Sequence, residues 1–387
     1  MGAVTLGVPR ETYPGERRVA LTPAAAGDLS AGGFEVLLEA GAGEAAGYPD
    51  PAYAERGGRI APSRDEAFAA DAVLQVRTIG ANPDAGAPDL ERLRPGQVVV
   101  GMADPLGNPE AVRAVAERGA TLFALELLPR IARAQSMDVL SSQATVAGYR
   151  AAVLAAANLP KLFPMLTTAA GTLPAARVLV LGAGVAGLQA IATARRLGAL
   201  VEAYDVRPAA REEVESLGAR FVELPLSPGD AEDAGGYAKE LSDSFYLRQQ
   251  EHLASVVTAT DAVICTAMIP GKPAPVLLTE EAVAGMALGS VVVDAAAERG
   301  GNCAVTRPGE TLTVSGVRIL GPVNLPADLP REASQMYARN LTAFLRVLAP
   351  EGAFDVASED EIIRHTLAAT GGAVVNHQIP GPEGRAA

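Results

Sequence analysis

Short apolar runs rich in valine, isoleucine and leucine recur along the chain, and stretches with helical spacing of apolar residues separate them. Val4–Val8 reads as a strand, and Pro23–Ala31 as the helix after it, with Thr22 at the N-cap and Pro23 in the first turn. Phe34–Glu39 reads as the next strand and Tyr53–Arg56 as a short helix. Ala72–Val76, Val98–Gly101 and Thr121–Ala124 continue the strands, with a helix over Asn108–Glu117. Gln143–Leu159 is an alanine-rich helix stopped by Pro160, and Lys161–Leu173 is apolar with interspersed proline, threonine and glycine. Strands then recur at Val178–Leu181, Val201–Tyr204, Arg220–Glu223, Ala262–Thr266, Val291–Asp294 and Val317–Gly321, with a helix over Val185–Leu197. Ser334–Leu348 and Glu359–Ala368 read as closing helices, and the polar end from about 380 as frayed.

Strands spaced by helices imply an α/β fold with doubly wound parallel sheets. With 387 residues and a prior of roughly 150 per domain, two domains are expected. The alanine-rich helix reads as the crossover between them. The second domain then ends near 325, and the pattern alone leaves the closing helices to either domain. The two halves share one plan without a sequence-level repeat. Leu226–Ser244 breaks the rhythm: it is acidic, contains glycine and has no period. Long loops of this kind inside compact domains tend to be functional or mobile.

Charge narrows the partners. The formal charge of −13 repels phosphate backbones and anionic lipid, so nucleic acid and non-specific membrane binding are not expected. Cys265 and Cys303 lie in apolar or small-residue context without CxxC spacing, and read as buried thiols in a reducing compartment. No basic and apolar leader opens the chain. The longest uncharged apolar run, Val178–Ala194, holds three glycines between Arg177 and Arg195 and reads as strand, turn and helix instead of a membrane span. No metal site is suggested.

That run carries the clearest chemistry. Val178–Leu181 enters Gly182-Ala183-Gly184-Val185-Ala186-Gly187, and a helix follows. Gly182 permits the tight turn, Gly184 lets a pyrophosphate approach the backbone, and Gly187 lets the helix pack closely on the strand. The helix start adds N–H groups and a positive dipole end. Asp205 closes the next strand, placed for the ribose 2′-hydroxyl and against a 2′-phosphate. This favours NAD(H) over NADP(H), although Arg207 is a possible phosphate partner. The unit reads as a Rossmann fold.

A second concentration of polar groups runs from Arg130 through Arg133, Gln135, Ser136, Asp138, Ser141 and Ser142 to Gln143. It either lines a cleft between the domains, or caps the alanine-rich helix through Ser141 or Ser142 with Arg130 and Arg133 in solvent.

This run, followed by Ala147-Gly148-Tyr149-Arg150-Ala151, resembles the NAD(H)-binding component of proton-translocating nicotinamide nucleotide transhydrogenase. So do Thr168–Thr172, the Gly182–Gly187 turn with Gln189–Ala194, Ala234–Glu240, and Ile269–Pro275. The opening Gly7–Glu11 with Arg17–Pro23 is similar to a segment shared with alanine dehydrogenases. The resemblance covers nearly the whole chain. It implies that NADH passes hydride to NADP⁺ on a partner beta subunit, coupled to proton movement through a membrane-spanning subunit. It implies that Arg130, Gln135, Asp138 and Ser141 contact the nicotinamide end. It places Asp205, Val206 and Arg207 at the adenosine side, Gly236 and Tyr237 on a mobile lid, and Gln249, Ala267 and Met268 at further nucleotide contacts.

The family form is a homodimer of chains with two Rossmann-like domains and a cleft between them. Here the domains are expected at 1–138 with about 326–387, and at 139–325. Many relatives continue into membrane helices. This chain shows none before Ala387, so a cytoplasmic subunit held at the membrane by its partners is expected.

The rival reading is an NAD-dependent amino-acid dehydrogenase of the alanine type. That chemistry needs a general base and a group that polarises an imine or carbonyl. The alanine dehydrogenases take a Lys and a His from the first domain. Gln75 and Arg77 stand where lysines would be, Asp104 stands near the expected His, the histidines are His252, His365 and His377, and the first lysine is Lys161. Hydride transfer between two nicotinamides needs neither group. It needs two rings held close and water excluded.

Overall fold

The computed structural model describes residues 3–224, 243–350 and 352–381. In chain order the strands are β1 (Thr5–Val8), β2 (Glu35–Glu39), β3 (Arg59–Ala61), β4 (Ala72–Arg77), β5 (Val98–Met102) and β6 (Thr121–Ala124). A hairpin of β7 (Leu166–Thr168) and β8 (Gly171–Leu173) follows. Then come β9 (Arg177–Leu181), β10 (Leu200–Tyr204), β11 (Arg220–Phe221), β12 (Ala262–Cys265), β13 (Val291–Asp294), β14 (Thr311–Val314) and β15 (Val317–Leu320). The last two are β16 (Leu367–Thr370) and β17 (Ala373–Val374). The chain divides into two compact units, residues 1–143 with 327–387, and 144–326.

The first unit holds a sheet in the order β17-β16-β6-β5-β4-β1-β2-β3. It is parallel from β3 to β6, and β16 and β17 extend it antiparallel. The second unit's sheet runs β11-β10-β9-β12-β13-β15-β14 and is parallel except at the β14–β15 edge. Residues of β12 and β13 are all buried, because a parallel sheet covered by helices on both faces needs continuous apolar strands. In the second unit the chain leaves β9 for β10 and β11 on one side, then returns to place β12 on the other. The carboxyl end of β9 is therefore a topological switch point, where doubly wound sheets open a crevice.

Several elements depart from the sequence pattern for identifiable reasons. The alanine-rich helix spans Val139–Asn158 and begins four residues before Gln143, because Asp138 caps it. A helix runs over Pro330–Leu348 with Pro330 in its first turn. The expected final helix is only Glu361–Thr366. Its last residues pair with β6 as β16, since Ala368 and Ala369 gain full burial there. The hairpin β7–β8 forms within Lys161–Leu173, where the pattern assigned no element.

Ionisable groups lie buried at the carboxyl edge of the first sheet. Glu11 accepts hydrogen bonds from the Val76 and Arg77 amides at 2.6 and 3.2 Å. Glu16 pairs with Arg18 at 2.6 Å, and Arg18 also donates to Gln143 Oε1 at 2.9 Å. Glu126 Oε1 accepts from the Ala103 and Asp104 amides at 2.7 and 2.8 Å, while its Oε2 is buried without a hydrogen-bond partner among the described residues. These bonds hold Asp104 at φ +46°, a left-handed backbone uncommon outside glycine. Burial raises the Glu11 carboxyl to about 8 and the Glu126 carboxyl to about 7.

A carboxyl raised in the fold binds its proton more tightly than in the unfolded chain. Its contribution is complete below the ordinary value of 4.5, and is lost as pH climbs to about 7. Glu126→Gln keeps the acceptor for both amides and removes the titration. Calorimetric melting from pH 4.5 to 8.5 should show the variant level with the native chain at the acid end. Above pH 7 it should gain up to about 3 kcal/mol, from roughly 1.4 kcal/mol per pH unit. A native chain whose stability does not fall over this range would contradict the desolvated carboxyl.

Candidate functional site

At the switch point of the second unit, β9 ends at Leu181 and the chain turns at Gly182, with φ +94°. The Gly182 amide donates to the Tyr204 carbonyl at 2.8 Å, locking the turn to β10. A Cβ on Gly182 would lie 2.8 Å from the Ala267 nitrogen, so only glycine fits between the turn and the segment after β12. A Cβ on Gly187 would lie 1.8 Å from the Gly182 carbonyl oxygen. The helix Val185–Arg196 therefore rests backbone to backbone on the turn. Gly184 differs: among the described residues, a Cβ there would meet nothing within 4 Å.

Gly184 is the N-cap of that helix and supplies no side-chain cap. First-turn amides have no partner inside their own helix, and the next side chain, Val185, is exposed. The turn thus offers amide donors, a helix dipole end and open space on one side. This is the chemistry of a phosphate cradle.

Asp205 lies just beyond β10 and is buried. Its Oδ2 accepts from the Ala183 amide at 2.7 Å. Its Oδ1 accepts from the Arg207 amide at 2.8 Å and Nε at 2.9 Å. The carboxylate thus ties the glycine turn to the end of β10 and is paired with Arg207. Val206 and Arg207 are half-buried beside it. Ala267 forms the wall behind Gly182, and Met268 next to it is exposed.

Gln249 is fully buried. It donates to the Tyr204 hydroxyl at 2.8 Å, and its Oε1 has no hydrogen-bond partner among the described residues. The lid positions Gly236 and Tyr237 lie outside the described residues, as does most of Leu226–Ser244.

The polar run of the first unit is a short 3₁₀ turn, Ala132–Met137, leading into the helix Val139–Asn158. Asp138 Oδ1 accepts from the Ser141 amide at 2.8 Å, and its Oδ2 from the Ser141 hydroxyl at 2.5 Å. The helix cap is therefore Asp138, with Ser141 as donor; neither Ser141 nor Ser142 is the capping residue. Arg133 is held by Asp360 through two bonds of 2.6 and 2.8 Å. Asn340 donates to the Ser136 carbonyl at 2.8 Å, which pins the turn to the helix Pro330–Leu348. Arg130 and Gln135 are exposed.

The structure thus gathers Gly182, Gly184, Val185, Gly187, Asp205, Val206, Arg207, Ala267 and Met268 at one end of the second sheet. It buries Gln249 behind them. Arg130, Gln135, Asp138 and Ser141 sit on one short segment of the other unit.

Sequence reasoning missed Asn302 and Thr266. Thr266 donates its hydroxyl to the Gly182 carbonyl at 2.8 Å. Asn302 binds both backbone groups of Ala267. Asn302 belongs to no periodic pattern or spaced motif, and Thr266 reads only as the end of a strand, so no local signal marks their roles.

Fold and turn together define a doubly wound α/β protein of two units, one carrying a Rossmann-type phosphate turn. The chain belongs to the alanine dehydrogenase/PNT family: the N-terminal domain of that family matches residues 7–147 and the C-terminal domain residues 151–377. It is 44% identical over 380 residues to the first part of the NAD(P) transhydrogenase alpha subunit of Rhodospirillum rubrum, covering 97% of this chain and 99% of that one. The crystal structure of transhydrogenase from Sinorhizobium meliloti has a TM-score of 0.82 and 43% identity, covering 96% of this chain and 99% of that one. The alanine dehydrogenase of Bacillus subtilis is 26% identical, over 97% of this chain and 93% of that one. By this measure the chain groups with the transhydrogenase alpha subunits. Among the described residues no helix is long and apolar enough to cross a membrane.

Substituting the two glycines separates packing from ligand space. Gly187→Ala must push backbone against backbone and should cost at least about 2 kcal/mol, a melting loss of roughly 4–8 °C for a domain of this size. Gly184→Ala should melt within about 1 °C of the native chain, because its Cβ enters open space. Scanning calorimetry decides; equal losses in both would contradict the close packing at Gly187.

Proposed function

We propose that this chain binds NAD(H) at the Gly182–Gly187 turn and that hydride passes from NADH to NADP⁺ held by a partner beta subunit. Transfer is coupled to proton movement through a membrane-spanning subunit. The observation that carries the reading is the open face at Gly184. The first-turn amides of Val185–Arg196 have no side-chain cap, and a pyrophosphate fits where a Cβ would meet nothing within 4 Å. The similarity to the Rhodospirillum rubrum alpha subunit supports the choice of reaction.

In this reading NADH supplies the hydride, and the chain's residues bind and orient it. The turn amides take the pyrophosphate. Asp205, fixed by Ala183 and Arg207, takes the adenosine ribose, with Val206, Ala267 and Met268 along the adenosine side and Gln249 backing them. Arg130, Gln135, Asp138 and Ser141 hold the nicotinamide end. The Asp138–Ser141 pair is rigid because it also caps a helix of 20 residues.

The chain acts as a homodimer in the cytoplasm, docked on membrane partners. Every residue of the β7–β8 hairpin is exposed. A two-stranded ribbon is marginal alone, so a second copy is the natural cover for Leu166 and Leu173.

Reconstitution with the NADP(H)-binding partner and the membrane subunit tests the reading, with reduction of a coloured NADP⁺ analogue by NADH as the signal. The native chain should support transfer. Arg130→Ala should lower the rate at saturating NADH at least about tenfold, equivalent to about 1.4 kcal/mol of lost transition-state stabilisation. Its NADH Kd should stay within about threefold, because the dinucleotide is held mainly at the turn. Equal losses in rate and binding would move Arg130 from orientation to anchoring. No transfer, together with NADH-dependent amination of pyruvate, would replace the reading with an amino-acid dehydrogenase.

A further inference from the structure

Past Thr266 the chain leaves the second sheet, and Ala267 loses its strand partners. Its backbone groups are taken instead by one side chain. Asn302 Oδ1 accepts from the Ala267 amide at 3.0 Å, and Asn302 Nδ2 donates to the Ala267 carbonyl at 2.8 Å. The same Nδ2 donates to the Pro275 carbonyl at 2.8 Å. The backbone carbonyl of Asn302 accepts from the Leu277 and Leu278 amides at 2.8 and 2.9 Å. The residue is fully buried. It therefore joins the wall behind the glycine turn, the end of the Ile269–Pro275 segment, and the apolar core under Leu278. Its neighbour Cys303 donates its amide to Asp294 at 2.9 Å, which fixes the hub from the side of β13.

We propose that Asn302 is a positioning residue for dinucleotide binding: its amide sets Ala267 against Gly182 and so fixes the width of the phosphate turn. The geometry leaves little slack. A Cβ on Gly182 would already lie 2.8 Å from the Ala267 nitrogen and 2.9 Å from its Cα, so any drift of Ala267 either closes on the turn or opens it. No other side-chain type of this size offers one acceptor and two donors in a single plane. Leucine fills similar volume and bonds nothing, and aspartate has no donor when ionised. Met268, exposed beside Ala267, is carried by the same clamp. Asn302 touches no reacting atom in this scheme, so it governs binding and not the hydride step. The proposal rests on the reading that the Gly182–Gly187 turn holds NAD(H).

The test uses the full chain and its reconstituted complex. NAD⁺ binding is measured by calorimetry and hydride transfer by the coloured analogue. Asn302→Ala should raise the NAD⁺ Kd and the NADH KM at least tenfold, with kcat at saturating NADH within threefold. Asn302→Asp keeps the shape and the acceptor for Ala267, and regains one donor when protonated. Its NAD⁺ affinity should therefore improve as pH falls from 8 to 5.5, whereas the native chain's should not. Val283→Ala, in the same core but with no side-chain hydrogen bond to lose, controls for loss of stability and should leave Kd within twofold at a comparable melting loss.

A tenfold effect in Val283→Ala as well would reduce Asn302 to a general core residue and overturn the proposal. An unchanged Kd in Asn302→Ala would also overturn it. A native chain that binds no NAD⁺ would instead overturn the reading beneath it. Should Asn302→Ala fail to fold, the pH profile of Asn302→Asp decides alone: a flat profile sinks the idea.

Discussion

The contact between Gly187 and the carbonyl of Gly182 is the constraint on which the second unit depends. It seats the helix Val185–Arg196 directly on the end of β9, with no room for a single methyl group. The other side of that helix is as tight. A Cβ on Gly148, in the alanine-rich helix, would lie 2.0 Å from the Ala186 carbonyl oxygen. The first turn of Val185–Arg196 is thus held between two glycines on neighbouring elements. The alanine-rich composition of Val139–Asn158 follows from this, since larger residues on the facing side would separate the layers.

This packing explains how an acidic chain can offer an anion site. The formal charge of −13 works against a pyrophosphate at long range. The donors at the turn are backbone amides, whose direction is fixed by the glycine contacts and by the bond from the Ala183 amide to Asp205. Preorganised dipoles need no excess of arginine or lysine. The same logic applies to Asp138, which orders the start of a long helix with the serine three residues on. In both places a carboxylate orders the local backbone.

Much of this was legible in the sequence because it is local. The valine-rich strands, the Gly182–Gly187 spacing and Asp205 all declare themselves within about 30 residues, the span of one strand–helix–strand unit. What the sequence hid depends on distant partners. The polar run at Arg130–Ser141 admits both a cap and a site, and only the bonds of Asp138 show which serine is the donor. Arg133 is solvent-exposed, as one of the two readings expected, and only the fold brings Asp360 to it. The start of strand β16 was disguised as a helix because alanine favours helix, and pairing with β6 overrides that preference. Asn302 carries no pattern at all: its role exists only once residues 267, 275 and 302 meet.

Hydrogen–deuterium exchange of the full chain with and without NADH tests the central claim most directly. If the turn holds the pyrophosphate, NADH should slow exchange at the amides of residues 184–187 by about fivefold or more, with a smaller effect at 205–207 where the ribose is carried. Protection elsewhere, with the amides of 184–187 unchanged at saturating NADH, would contradict the assignment of the nucleotide to this turn.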